Sequence, residues 1–447
     1  MNKMIQAIIA GVVVIAAIAF FVVNNLSNNS ATTEASGPVE VQWWHAMGGS
    51  LGETVNAMAE EFNASQSDFI VTPIFKGSYE ETITAGISAF RSGEAPHIIQ
   101  IFDAGAATII NAKGAAKSVE DIMTENGYDF DITDYIQGVR YFYADANDKM
   151  IGMPFNSSTP VLYYNKAILD EAGVTPPKTW EEFEMTAEKL KAQGHIALSQ
   201  SHTPWIFFEN FHSRHNLQIA DKDNGFSGLP TELMYNNPEL TMHFEHVKEW
   251  KDKGYYGYYG KAWGDNQNAF VAQDVAMWIG SSGSFGGLKQ SAQFDFGTTY
   301  LPYWNSVNSN PGTTFIGGAA LFAMAGHTDA EYKAVAAFFD YLTKAETQYF
   351  WHEQTGYVPI TNAAYELAKK DGYYAANPDA EVGIQQLSLH GSEWTKGYRM
   401  GFYVQTRESI YREMDRLMAG ETTVADMLKA IETDGNRNLE RFAETVK

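Results

Sequence analysis

Two periodicities alternate along the 447-residue chain. From Val39, VEVQWWHAM has the two-residue period of a strand. LGETVNAMAEEFNAS then places Leu51, Val55, Met58, Ala59 and Phe62 at helical spacing. The alternation repeats with strand DFIVTPIFKG, helix YEETITAGISAFRSG ending at Gly93, strand HIIQIFDA and helix GAATIINAKG. This β-α-β-α-β rhythm predicts parallel strands flanked by helices. A second block opens with strand VLYYN and helix KAILDEAG. It continues into TPPKTWEEFEMTAEKLKAQG, where Thr179 and Glu182 read as a capping box. DVAMWIG and FIGGAALFAMA read as later strands, and the C-terminal third reads as helices.

The predicted fold class is therefore α/β, in two lobes between which the chain crosses more than once. Such crossings place polar loops at strand ends around a shared cleft, where open α/β sheets bind ligands. The expected division is residues 1–38 as leader and polar linker, 39–155 with 290–345 as the N-lobe, and 156–289 with 346–447 as the C-lobe.

The leader changes the compartment. Ile5 to Val23 is apolar except for Gln6, follows a single lysine and precedes small polar residues. That is the layout of an export signal, read as a cleaved signal peptide with a retained anchor as the alternative. The expected location is the periplasm. A formal net charge of -23 argues against nucleic-acid and anionic-lipid partners. The absence of cysteine excludes disulfides, thiolate metal sites and a cysteine nucleophile. With no HExxH and no Walker A motif, neither a metal nor a cofactor is expected.

The candidate chemistry centres on PFNSSTPVLYYN, where Ser157, Ser158 and Thr159 precede a strand. Taken alone, such hydroxyls read as a turn or cap as readily as a ligand site. A rival sits in MGGSLG: Gly48, Ser50 and Gly52 fit the G-x-S-x-G of a hydrolase nucleophile elbow, so a secreted serine hydrolase using Ser50 is the alternative from a different class.

WWHAMGGSLGE, FKGSYEETITAGISAFRSGEAPHIIQIFD, PFNSSTPVLYYNK, PPKTWEEF, SSGS, FIGGAALF, WHEQTGYVPIT and TKGYRMGFYVQTR follow one another in order. Together they resemble the extracellular solute-binding proteins of bacterial ABC importers, the family that includes the maltose-binding proteins. Within it, the match is to members that bind sn-glycerol 3-phosphate. The resemblance implies a two-lobed binding-protein fold (type II), no catalysis, a monomer, a small phosphate ester as ligand and a membrane permease as partner. It implies a phosphate side made by Ser158, Ser281, Gly318, Tyr357 and Arg407. The glycerol side would use Tyr79, Asp103 and an aromatic wall including Trp205, with His202 beside it.

The residue types suit those roles. Hydroxyls and an exposed glycine backbone can donate to phosphate oxygens, the Arg407 fork matches them bidentately, and Asp103 accepts from hydroxyls. Two departures touch the glycerol side: Asp103 stands where these relatives have Glu, and His202 where they have a Trp. A glycerophosphodiester such as glycerophosphocholine is the next ligand, and an oligosaccharide the third.

Overall fold

The computed structural model describes residues 37–446 apart from Lys113 and Ser392. The expected export signal lies outside the described residues. No helix among the described residues is long and apolar enough to cross a membrane.

Among the described residues, ten strands form two sheets. The first contains β1 (Val39–His45), β2 (Phe69–Phe75), β3 (Ile98–Phe102), β4 (Ala116–Lys117) and β5 (Gly152–Ser158). β6 (Pro160–Asn165), β7 (Ile196–Gln200), β8 (Val275–Ser281) and β9 (Phe296–Tyr300) make the second, and β10 (Gly317–Met324) returns to the first. The first sheet runs β2-β1-β3-β10-β4 with β5 also on β10, and the second runs β7-β8-β6-β9. Helices follow the strands as the periodicity predicts: Gly49–Ser65 after β1, Tyr79–Ser92 after β2, Asp103–Ile110 after β3. The Tyr79 helix opens with a full capping box between Ser78 and Glu81 and closes at Gly93 with φ 75°, so both ends are satisfied locally.

Three readings of the pattern change. The first sheet is mixed: β1 and β3 are parallel, but β10 runs antiparallel to β3, β4 and β5. β10 arrives from the other sheet rather than through a crossover helix, so its direction is free of the βαβ rule. Secondly, residues 290–345 do not stay together. β9 pairs with β6 in the second sheet, and only β10 joins the first. Thirdly, the hydroxyl stretch is itself a strand, since Asn156, Ser157 and Ser158 end β5.

That third point fixes the architecture. A single residue, Thr159, separates β5 of the first sheet from β6 of the second. Ser158 pairs with Gly317 on one side, and Pro160 with Ser281 on the other. A hydrogen-bonded node pins the crossing. Thr159 N–H donates to Ser282 Oγ at 3.2 Å, Thr159 Oγ1 meets Thr314 Oγ1 at 2.5 Å, and Gln386 Nε2 donates to Thr159 Oγ1 at 2.9 Å. Thr314 lies in the return from β9 to β10, so two passages of the chain between sheets share one buried polar knot. Most buried hydroxyls in folded proteins are hydrogen-bonded, and here the Thr159–Thr314 contact ties one passage to the other.

Candidate ligand-binding site

The crossing brings the sequence-predicted residues to one place. Gly318 faces Ser157 across the β5–β10 ladder with φ +97°. A methyl at Gly318 would lie 1.8 Å from the Asn156 carbonyl oxygen, so only glycine fits. Ser281 ends β8, and its Oγ accepts from Gly283 N–H at 3.1 Å. The Tyr357 ring lies against Gly283, where an added Cβ would stand 2.6 Å from it, and stacks on Trp351 at 5.7 Å. Val358 N–H donates to the Ser157 carbonyl at 2.8 Å, bringing the Tyr357 segment onto β5. Ser157 Oγ is buried without a partner.

On the other wall, Asn156 Nδ2 donates to Tyr79 Oη at 2.7 Å and accepts at Oδ1 from Gln100 Nε2 at 2.7 Å. The Tyr79 ring stacks on Phe102 at 5.2 Å with an interplanar angle of 5°. Burial first, and then the neighbouring Tyr357, hold the Tyr79 hydroxyl well above its ordinary pKa, so it stays protonated. Asp103 follows Phe102 directly, as the first residue of the helix Asp103–Ile110.

The turn 202–209 supplies three more groups. His202 has φ 52°, and Pro204–Glu209 form a π-helical turn, a form that recurs at functional sites. Trp205 Nε1 donates to the Ile316 carbonyl at 3.2 Å, and its ring lies over Gly317, where a Cβ would stand 2.5 Å from it. His202 sits edge to face with Trp205 at 6.1 Å. Burial, then the Arg407 charge, lower its pKa from 6.5 to about 4, so the imidazole is neutral near neutral pH.

Arg407 departs from expectation. It was expected on the phosphate side, apart from Asp103. Instead, Arg407 Nη1 and Nη2 donate to the two Asp103 oxygens at 2.9 and 3.0 Å. Its Nε and Nη2 donate to Glu209 at 2.8 and 2.7 Å, and Nη2 also reaches Tyr398 Oη at 3.0 Å. Two carboxylates thus meet one guanidinium. Burial alone would lower the Arg407 pKa, but Asp103 and Glu209 carry it well above its ordinary value. Burial, opposed by Arg407 and assisted by Asp103, raises that of Glu209. The two poles expected from the sequence are, at these residues, one bonded unit.

Sequence reasoning missed Glu209, Asn156, Gln100 and Tyr398. Glu209 lay within the aromatic run PWIFFENF, and an acid that is fully buried there signals a partner, because unpaired buried charge is costly. Asn156 stood beside the serines already singled out. The rival at Ser50 gains nothing: the residue is exposed in the first turn of its helix, and its hydroxyl is hydrogen-bonded to no histidine.

Two sheets, a one-residue crossing and a polar site at that crossing define a two-lobed solute-binding protein of the type II class. The profile described as bacterial extracellular solute-binding protein matches residues 57–382, and the chain belongs to that family. It is 37% identical over 422 residues to the sn-glycerol-3-phosphate-binding periplasmic protein UgpB of Salmonella typhimurium, covering 93% of this chain and 96% of the relative. UgpB from Mycobacterium tuberculosis, solved in complex with glycerophosphocholine, superposes with a TM-score of 0.76 at 23% identity, covering 91% and 99% of the two chains. The cyclic alpha-maltosyl-1,6-maltose binding protein from Arthrobacter globiformis gives 0.73 at 21% identity, covering 91% and 100%.

Proposed function

We propose that the chain captures sn-glycerol 3-phosphate in the periplasm and hands it, as a monomer without catalysis, to the membrane permease of an ABC importer. The observation that carries this reading is the meeting of Ser158, Ser281, Gly318 and Tyr357 at the crossing, beside the Arg407–Asp103–Glu209 unit. Similarity to the glycerol-phosphate-binding relatives over nearly the whole chain supports the choice of ligand.

The geometry favours a particular division of labour. Arg407 is already engaged by two carboxylates, so it has no free charge for a dianion. The phosphate is held by neutral donors, the Ser158, Ser281 and Tyr357 hydroxyls and the backbone at Gly318. Each hydrogen bond to a charged oxygen contributes about 1.5–3 kcal/mol. The Asp103 carboxylate, oriented by Arg407, accepts from the glycerol hydroxyls. The lobes close over the ligand by rotation about the crossings, and the ligand favours closure only by its higher affinity for that form.

One observation favours a second ligand. His202 presents a smaller face than the Trp of the resembling relatives, which leaves room beyond the glycerol for the head group of a glycerophosphodiester. Calorimetric titration with sn-glycerol 3-phosphate, glycerophosphocholine and maltose tests the reading. Saturable binding of the first at one per chain is expected. Binding of maltose with indifference to both phosphate esters overturns it.

A further inference from the structure

Away from the crossing, a cavity of about 440 Å³ opens between the helix Tyr79–Ser92, β3, the helix Asp103–Ile110 and the helix Val424–Thr445. Its volume falls within the range of small-molecule sites. The lining is apolar, with Ile83, Ile87, Ile109, Met324 and Phe442 among its walls. Among the described residues, Arg91 is the one charged side chain in the lining; it is exposed in the last turn of the helix Tyr79–Ser92, and no ion pair or hydrogen bond from those residues engages its guanidinium. Phe402 completes the wall from a left-handed backbone, φ 52°, which L side chains seldom adopt. Its N–H donates to Thr108 Oγ1 at 3.1 Å, also on the wall.

We infer that this cavity is a second binding site, for a single-chain anionic amphiphile. The alkyl chain fills the apolar interior and the carboxylate pairs with Arg91. Charge complementarity carries the choice of occupant: an exposed cation, without a partner among the described residues, stands beside an apolar hollow on a chain whose net charge is -23. A neutral apolar molecule would leave Arg91 unused, and a polar solute would leave the hollow unfilled.

Monomeric octanoate and decanoate, titrated below their micellar concentrations against the whole protein, test the site. One molecule should bind per chain, tighter by about fourfold for each added methylene. Arg91→Ala should weaken decanoate severalfold and leave decanol unchanged. Thr445→Trp, at the cavity mouth near the end of the last helix, should block both while leaving the thermal transition in place. No saturable decanoate binding, or binding indifferent to Thr445→Trp, overturns the site. Binding that ignores Arg91→Ala overturns the anionic occupant. None of these readouts depends on glycerol 3-phosphate, so they fail independently of the cleft's assignment.

Discussion

Arg407 and Asp103 meet fork to fork, with Nη1–Oδ1 at 2.9 Å and Nη2–Oδ2 at 3.0 Å, although 303 residues of chain lie between them. Glu209 takes the remaining edge of the guanidinium. Arg407→Ala therefore leaves two buried carboxylates facing each other without a cation. Loss of one partner from a buried pair costs about 3–5 kcal/mol, so urea unfolding should show a stability loss of that size along with lost ligand binding. Arg407→Lys should recover little of either, because a point charge cannot serve both forks.

Gly318→Ala should fail for a local reason. Its φ of +97° is costly for alanine, and the new methyl would stand 1.8 Å from the Asn156 carbonyl oxygen. Strain and overpacking together amount to about 2–5 kcal/mol. The same displacement moves Asn156, which holds Tyr79, so affinity should fall as well. Thermal unfolding and ligand titration of one variant measure both.

Thr159→Val removes the hydroxyl shared by Gln386 and Thr314 at the crossing while keeping the volume. Leaving those buried groups short of a partner costs about 1–3 kcal/mol. Stability measured in urea should fall by that amount, with hydrogen exchange rising around residues 157–160 and 313–317.

Acid should weaken the fold through its buried histidines. The His202 pKa is lowered from 6.5 to about 4, by burial first and the Arg407 charge second. His45, His212 and His352 are lowered to about 4 as well, each mainly by burial. Between pH 6.5 and 4 the unfolded chain binds more protons at these sites than the folded one. Stability is therefore fully present above pH 6.5 and falls as the pH drops toward 4, by at most about 1.4 kcal/mol per pH unit for each group. His202→Asn should lose less stability than the parent protein between pH 7 and pH 5 in urea titrations.

Much of this fold was legible in the sequence, because its signals are local. The alternation of Val39–Phe62 and the Ser78–Glu81 box need no distant partner to be read. The direction of β10 was not legible, since it depends on which sheet the chain returns to. The hydroxyl stretch reads as preceding a strand rather than as part of one, because strands in a core are seldom that polar. Ser158 is tolerated there because it sits where one sheet ends and the next begins. Resemblance could nominate candidate site residues, but the Arg407–Asp103 pairing could not be read from it. A charge's partner is set by tertiary contact, and both residue types were legible only as separate poles.

Ser158→Ala and Ser281→Ala should each weaken glycerol 3-phosphate binding by roughly 10- to 150-fold, the equivalent of one hydrogen bond to a charged oxygen, with little change in stability. Binding of free glycerol should ignore both substitutions and respond to Asp103→Asn.

A crystal structure of the protein with sn-glycerol 3-phosphate is the most direct measurement. The account predicts the phosphorus atom beside Ser158, Ser281 and the backbone at Gly318, the glycerol hydroxyls on Asp103, and the Arg407–Asp103 fork intact. A phosphate seated on the Arg407 guanidinium, with Asp103 displaced from it, would contradict the account.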